Sequence, residues 1–403
     1  MPPRPSLVEI FLVALRLGCA SFGGPVAHLA YFRKEYVEKR HWLDEAHYAD
    51  LVGLCQFLPG PASSQVGFGI GCLQRGLAGG LAAWLGFTLP SALLMIGFAY
   101  GVTALGDSAT AGWLHGLKVA AVAVVAQAVW AMSRSLCPDW PRRLLALAAA
   151  AAVLWLPFAW MQMAVIAAGA AIGWKFPGGG GTTRFAGYAQ RAPAPAGLMV
   201  PPPSTGITCL VFFFALLLAL PWFAHASANP FVEILDRFYR AGALVFGGGH
   251  VVLPLLEREV VTPGWVTHDQ FLAGYGAAQA MPGPLFTFSG FLGAVMSHGP
   301  GGWMGGMWSV AAIFLPAGLL VAGVLPFWHQ LRSRPGAQAA LRGANAVVVG
   351  LLLAALYHPV WTTGITGGRS VALAAAGFIA LQVGKIPAWA VVLAAAVLGR
   401  WLL

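Results

Sequence analysis

The stretch Gln56-Phe57-Leu58-Pro59-Gly60-Pro61 returns later in the chain as Gln279-Ala280-Met281-Pro282-Gly283-Pro284. A Pro-Gly-Pro triplet lacks two backbone donors and disfavours helix on its N-terminal side, so each copy predicts two half-helices that meet at a break. At membrane depth such irregular backbone is tolerated only where it is buried in protein or lines a cavity. The repeated break therefore predicts two related halves, each built around a broken helix.

The duplication extends well beyond the breaks, since residues 8–68 and 232–291 follow one template. Val8-Glu9-Ile10 returns as Val232-Glu233-Ile234, and Phe22-Gly23-Gly24 returns as Phe246-Gly247-Gly248. A duplicated half in an apolar chain is typical of secondary transporters, whose substrate site lies between repeats that move against each other.

Composition places the 403-residue chain in a membrane. Charged residues make up only 9% of the chain, against roughly 25% in an ordinary soluble domain, and the mean hydropathy is +0.75. Apolar stretches of about 15–25 residues recur along the chain, which is the length that crosses a hydrocarbon core. We therefore predict an all-α polytopic membrane protein. The net charge of +10 does not indicate nucleic-acid binding, because the basic residues lie in short connections between apolar segments.

The predicted organisation has four parts. Residues 1–176 form an N-terminal transport repeat, and residues 229–403 form a C-terminal one. Between them lie a Gly/Pro-rich linker at 177–204, expected to be a flexible tether, and an additional transmembrane helix at 205–228. The whole chain is expected to contain about 10–13 membrane segments.

The Lys/Arg bias of matched connections predicts that the repeats have inverted topology. The connection 33–40 carries four basic residues, whereas its match 257–264 carries only Arg258. Conversely, 105–112 has no basic residue, whereas its match 327–342 has three. The number of crossings stays open at this point. Broken elements that cross once give inverted halves, and broken elements that return to their own side give parallel halves.

The breaks and the glycine turns are the first candidate substrate site, because a half-helix N-terminus offers unpaired N–H groups to an anion. Nearby hydroxyl and amide side chains add further donors. The alternative is that the breaks are simple kinks and that the glycines allow close packing. The substrate-binding candidates at these elements are Gln56, Gly60, Ser63, Ser64, Gln279, Gly283, Thr287, Ser289, Gly23, Gly24, Gly247 and Gly248.

Charged residues inside the apolar helices form the second candidate group, since such residues are costly in a membrane. Glu9 and Arg16 lie seven residues apart, hence on one helix face, and Glu233 and Arg240 repeat this spacing. The two arginines are candidates for neutralising a dianionic substrate, and the glutamates are candidates for carrying a coupling proton. The alternative is a structural ion pair within each helix.

Three further residues are candidates for gating or proton coupling. Glu35 and Glu259 occupy equivalent connections, where they are expected to act as hinge or gate residues. His250 lies beside the second glycine turn in one half only. Either it is a packed polar residue or it takes part in proton coupling.

The chain resembles the chromate ion transporter family, long-chain type, in which two homologous halves are fused. The resemblance rests on the motif Phe22-Gly23-Gly24-Pro25, on Trp42 and Trp265, on the sequence from Phe246 to His250 with Pro254, and on both Gln-x-x-Pro-Gly-Pro motifs. It implies halves of opposite topology, a multi-pass protein of the bacterial plasma (inner) membrane, and export of chromate driven by the proton-motive force. Sulfate-like oxyanions are implied as further substrates.

Other classes of protein are not supported by the residues. The sequence contains no GxxxxGK[ST] loop, no HExxH and no GxSxG elbow, so we predict neither an enzyme nor a pump. No cofactor or metal is expected, and the five cysteines are scattered without a CxxC motif. The expected partners are a chromate or sulfate-like oxyanion and the lipid bilayer, without nucleic acid, and a homodimer is left open. The alternative function is an anion channel, or an exporter of a different tetrahedral oxyanion.

Overall fold

The structure is a computed structural model that describes residues 4–156, 161–175, 198–246, 249–331 and 334–402. Within these ranges it contains helices and no β-strand, which confirms the all-α prediction. The predicted linker lies mostly outside the described residues, as do Gly247 and Gly248.

The helices follow the duplicated plan of the sequence. The first part contains α1 (Leu7–Ala20), α2 (Gly24–Phe32), α3 (Glu45–Phe57), α4 (Ala62–Leu136), α5 (Trp140–Trp155), α6 (Met161–Lys175) and α7 (Pro203–Ser227). The second part contains α8 (Pro230–Ala243), α9 (Val252–Leu256), α10 (His268–Ala280), α11 (Phe288–Val295), α12 (Gly302–Val324), α13 (Trp328–Leu331), α14 (Pro335–Ala355), α15 (Thr362–Gly364), α16 (Gly368–Gln382) and α17 (Ala388–Leu402). Short π-helical segments follow α2 (Arg33–Lys39), α9 (Glu257–Val261) and α14 (Leu356–Trp361).

Five described segments are long and apolar enough to cross a membrane: Ala62–Ala104, Gly112–Leu136, Pro203–Ser227, Gly302–Phe327 and Gln338–Gly364. Shorter apolar helices accompany them, including α16 and α17. The segment Pro203–Ser227 differs from the others because only 17% of its most apolar window is buried inside the protein. Most of its side chains therefore lie on the outside of the helix bundle.

The first of these segments is not one straight span, because the chain reverses at Gly76. A straight helix of 43 residues would extend about 65 Å, roughly twice the hydrocarbon core. Gly76 has a φ of +60°, and the backbones of Gly71 and Gly79 lie in contact on either side of it. In the second half, Gly293 and Gly305 make the equivalent contact across a turn. A half-helix at 62–75 is thus followed by an antiparallel span from 77 onward.

Each broken element returns to the side from which it came. Leu51 in α3 contacts Gly69 in the half-helix after the break, and Gly274 in α10 contacts Phe291 in α11. In each pair, one residue precedes its break and the other follows it by about the same number of residues, so the paired half-helices are antiparallel. Each Pro-Gly-Pro triplet is therefore the tip of a re-entrant hairpin.

The sequence pattern predicts one broken helix in each half, but the structure has a second re-entrant hairpin before each of them. Arg40, which follows the first π segment, pairs with Glu9 at the start of α1 at 2.9 Å. The chain therefore runs inward along α1, turns at residues 21–24 and returns along α2. In the second half, Glu259 lies near Arg237 of α8 in the same way.

The later helices pack across the two halves in a reciprocal arrangement. Gly112 contacts Arg400 and Gly116 contacts Ala395, so the span 112–136 is antiparallel to α17. Residues 169 and 173 of α6 contact residues 343–347 and 339–343 of α14, which is the matching antiparallel pair. A single returning element in each half would give parallel halves, but two hairpins return in each half. Each half therefore begins and ends on the same side, and the one connecting helix, α7, places the second half in the opposite orientation. This path agrees with the Lys/Arg bias.

Candidate functional site

Each Pro-Gly-Pro tip touches the first hairpin of the other half. The Gly60 N–H donates to the Val245 carbonyl at 2.6 Å, and the Gly283 N–H donates to the Ser21 carbonyl at 2.8 Å. Val245 and Ser21 occupy equivalent positions, one residue before the Phe-Gly-Gly turn. We call these the Gly60 contact and the Gly283 contact. They bring four re-entrant elements from two halves together inside the protein.

Glycine is required at both tips by conformation and by space. Gly60 has a φ of +126° and Gly283 a φ of +90°, which is the left-handed region that side chains disfavour. A Cβ on Gly60 would lie 2.7 Å from Gln65 Nε2, and a Cβ on Gly283 would lie 2.8 Å from Ser91 Oγ. A side chain at either tip would therefore be strained and would displace Gln65 or Ser91.

The half-helix after the first break begins without a side-chain cap, since Pro61 occupies the N-cap position and accepts nothing through its side chain. The first N–H groups of a helix have no partner inside the helix. Together with the positive end of the helix dipole, they form a favourable environment for an anion. The equivalent turn in the second half begins after Pro284 and is also without a side-chain cap.

The predicted hydroxyl donors fall into two different states. Ser63 Oγ lies 3.2 Å from His28 Nδ1, and the buried Ser64 Oγ has no partner. In the second half, Thr287 donates to the Pro284 carbonyl and Ser289 donates to the Phe286 carbonyl, both at 2.8 Å. The second-half hydroxyls are therefore already used within their own helix, whereas Ser64 is free to donate.

The two predicted glutamines also differ. Gln56 is exposed, whereas Gln279 is half-buried and its Nε2 lies buried without a partner. Of the glycine turns, Gly23 and Gly24 have φ values of +99° and +78°. Their equivalents Gly247 and Gly248 lie outside the described residues.

The first-half charges pair differently from the sequence expectation. Glu9 pairs with Arg40 rather than with Arg16, and Arg40 also pairs with Glu35 at 2.9 Å. Lys39 adds a third contact to Glu35 at 3.2 Å. Burial opposes ionisation of Glu35, but Arg40 and Lys39 outweigh it and hold the pKa of Glu35 below its usual value. Arg16 is exposed and has no ion-pair partner within the described part of the chain.

In the second half Arg240 is paired. It contacts Asp236 and lies 3.6 Å from Glu259, and a small recess beside it is also lined by Arg258 and Gln162. Burial raises the pKa of Glu259 despite the nearby arginines, which is the opposite of the shift at its equivalent Glu35. The two predicted gate residues are therefore electrostatically unlike.

The remaining predicted residues have polar partners of their own. Glu233 lies 2.6 Å from His298, and the His298 ring stacks on Trp265 with centroids 4.2 Å apart. His250 Nδ1 lies 2.7 Å from the Tyr275 hydroxyl. His250 therefore packs through a polar contact, and its part in proton coupling stays a prediction.

Comparison with known proteins identifies the family. Residues 8–174 and 232–400, one region in each half, match the model of the chromate transporters. The chain belongs to the chromate transporter family. It is 29% identical to a chromate transport protein of Pseudomonas aeruginosa over 100% of this chain and 94% of the relative. It is 26% identical to a probable chromate transport protein of Synechococcus elongatus (88% of this chain, 84% of the relative). No solved structure matches the chain.

In this chromate transporter, the structure adds four polar residues that the sequence reasoning did not select. Ser21 and Ser91 touch the Gly283 tip directly, His28 bonds to Ser63, and Thr88 lies one turn from Ser91 and accepts its hydroxyl through the backbone at 3.1 Å. They lie in three separate segments, so only the contact between the halves brings them to the break.

Proposed function

We propose that this protein is a secondary transporter that exports chromate across the bacterial plasma membrane and also accepts sulfate-like oxyanions. Membership of the chromate transporter family supports the substrate class. The observation that carries the mechanism is the reciprocal pair of tip contacts. They join the two halves at their broken elements, where free N–H groups and hydroxyls are available to an oxyanion.

The membrane potential supplies a driving force in the export direction. Moving one elementary charge through 100 mV is worth about 2.3 kcal/mol, so a dianion gains about 4.6 kcal/mol on leaving a negative interior. Coupling to protons changes the net charge that crosses the membrane in each transport cycle, and so it changes the driving force that the membrane potential supplies. Glu9, Glu233, Glu35, Glu259 and His250 remain the proposed coupling or gating residues.

The test is flux in proteoliposomes containing the purified full chain. Chromate efflux is followed while a potassium diffusion potential and a pH gradient are imposed separately. We expect saturable efflux that is accelerated by an inside-negative potential and competed by sulfate. Efflux that does not saturate, and that lacks exchange between internal and external chromate, would favour the anion channel.

Arg16 offers a clean test of charge neutralisation. Because Arg16 belongs to no ion pair in the described structure, Arg16→Ala removes a positive charge without leaving a carboxylate unpaired. We expect Arg16→Ala to lower chromate export by tenfold or more and Arg16→Lys to retain it. Arg240→Ala is less specific, because it also removes the ion-pair partner of Asp236 and one of the two arginines beside Glu259.

A further inference from the structure

The two tip contacts are related by the repeat but differ in chemistry. The Gly283 tip meets Ser21 and Ser91 of the first half. The Gly60 tip meets the equivalent residues Val245 and Ala317 of the second half. The residues that the other half brings to the Gly283 tip are therefore serines, whereas those brought to the Gly60 tip are apolar.

The same difference extends to the surrounding residues. His28, Ser63 and Thr88 of the first half correspond to Val252, Phe286 and Phe314 of the second half. The two phenylalanine rings fill their region, with centroids 5.8 Å apart and little exposure. We define the hydroxyl cluster as Ser21, His28, Ser63, Ser64, Thr88 and Ser91.

Direct contacts join Ser21, His28 and Ser63, and Ser64 and Thr88 adjoin them in the chain, Ser64 next to Ser63 and Thr88 next to Phe87. His28 lies against the backbone of Ser21 and bonds to Ser63, and its ring packs edge-on against Phe87 with centroids 5.5 Å apart. Phe87 immediately precedes Thr88, and its carbonyl lies against Gly18 of α1. The region therefore lies between α1, α2, the start of α4 and the Gly283 tip.

Three hydroxyls of this cluster are buried without a hydrogen-bond partner among the described residues: Ser21 Oγ, Ser64 Oγ and Thr88 Oγ1. Each of these residues is 4% exposed or less. Burying a hydroxyl without a hydrogen bond is unfavourable, because the bonds that it made to water are not replaced, so these groups need a partner that the described residues do not provide. The equivalent residues Val245 and Phe314 have no such need.

We propose that the transported oxyanion binds at the hydroxyl cluster beside Gly283, and that the equivalent Gly60 contact is an apolar structural joint. The protein would then carry one oxyanion site rather than two symmetric ones. A tetrahedral oxyanion accepts hydrogen bonds through all four oxygens. Ser21, Ser64 and Thr88 supply free hydroxyl donors, and the first N–H groups of the half-helix at 62–75 supply further donors and partial positive charge. This inference rests on the proposed function and specifies its site.

The test removes single hydroxyls with little change in shape. Thr88→Val and Ser21→Ala are compared with Thr88→Ser, which keeps the hydroxyl. Ser309→Ala is the matched control, because Ser309 Oγ in α12 is likewise buried without a partner among the described residues but packs against Gly293 instead of Gly283. All are studied as the full chain in detergent and in proteoliposomes, with chromate and sulfate as probes.

We expect Thr88→Val and Ser21→Ala to raise the KM for chromate about tenfold or more, because a bond to a charged group is worth about 1.5–3 kcal/mol. Thr88→Ser and Ser309→Ala should keep the wild-type KM. The rise in melting temperature that chromate produces in detergent should be smaller in the same two variants.

A wild-type KM and a wild-type rise in melting temperature in both variants would overturn the single-site proposal while leaving chromate transport intact. Wild-type protein that neither binds nor moves chromate would overturn the proposed function itself.

A water-filled cluster would give another result. Ordered water can satisfy buried hydroxyls, and in that case neither variant would change the KM while both would change thermal stability without chromate. This outcome would also overturn the proposal.

Discussion

The N–H of Gly60 donates to the carbonyl of Val245 at 2.6 Å, so the tip of one half is bonded to the first hairpin of the other. The bond between Gly283 and Ser21 repeats it at 2.8 Å. Both bonds involve residues next to a reversal of the chain, and both cross between the halves. Movement of one half against the other must therefore break these bonds or carry the tips along.

The first prediction concerns these tips. Gly60→Ala and Gly283→Ala should each reduce transport at least tenfold, because a side chain at positive φ costs about 1–2 kcal/mol and the new Cβ would collide with Gln65 or Ser91. The measurement is chromate flux at equal protein levels. Gly367→Ala is the matched control, because its φ is near 180° and it has open space around it. Normal flux in both tip variants would show that the tips are not needed in their present conformation.

The second prediction concerns orientation in the membrane. Arg75 donates to the Pro5 carbonyl at 2.8 Å, and Arg40 pairs with Glu9, so the chain start, residues 39–42 and residue 75 share one face. Residues 298–299 contact α8 near its start and mark the opposite face. The first face is the more basic one, so it should be cytoplasmic.

Cysteine labelling in intact cells measures this orientation. Glu38→Cys on the first face and Thr262→Cys on the second are both exposed positions, and Cys19, the exposed native cysteine, is replaced by Ala in each. An impermeant maleimide should label Thr262→Cys directly and Glu38→Cys only after permeabilisation. Labelling in the reverse order would invert the assignment.

The sequence predicts much of this fold for a clear physical reason. Duplicated Pro-Gly-Pro triplets specify backbone breaks wherever they lie, and the matched Lys/Arg bias specifies orientation. The hairpin formed by α1 and α2 is not predicted because residues 7–24 have the length and the mostly apolar composition of a membrane span, and their return path depends on Arg40 reaching Glu9. The pairing of Arg16 with Glu9 was expected from spacing alone, but Arg40 from a distant connection is the partner that the fold provides. His28 and Thr88 were not selected because their significance comes from contacts with segments far away in the sequence.

The third prediction uses the difference between Gln56 and Gln279. Gln279→Leu removes a buried amide that has no partner, so it should raise the melting temperature by a few degrees, corresponding to about 1 kcal/mol. If this amide serves the substrate, the same variant should lower chromate flux by about tenfold. Gln56→Leu, at an exposed position, should leave the melting temperature unchanged. A Gln279→Leu variant that is less stable would show that the amide has a structural partner.

The last prediction is a pH dependence of stability that arises at Glu257. This residue lies in the connecting π segment between α9 and α10, its side chain is 18% exposed, and its carboxylate is 4.0 Å from the His268 ring. Burial raises the pKa of Glu257 from 4.5 to about 7, and Arg258 offsets this only in part. The folded protein therefore holds this proton more tightly than the unfolded chain does. The contribution of Glu257 to stability is consequently most favourable at low pH and decreases as the pH rises from about 4.5 to about 7, by roughly 2–3 kcal/mol.

Glu257→Gln should then melt at a higher temperature than wild type at pH 8 and at the same temperature at pH 4.5. Glu38→Gln, at an exposed position, should show no such gain at pH 8. An equal melting temperature of Glu257→Gln and wild type at both pH values would mean that Glu257 is solvated in the folded protein.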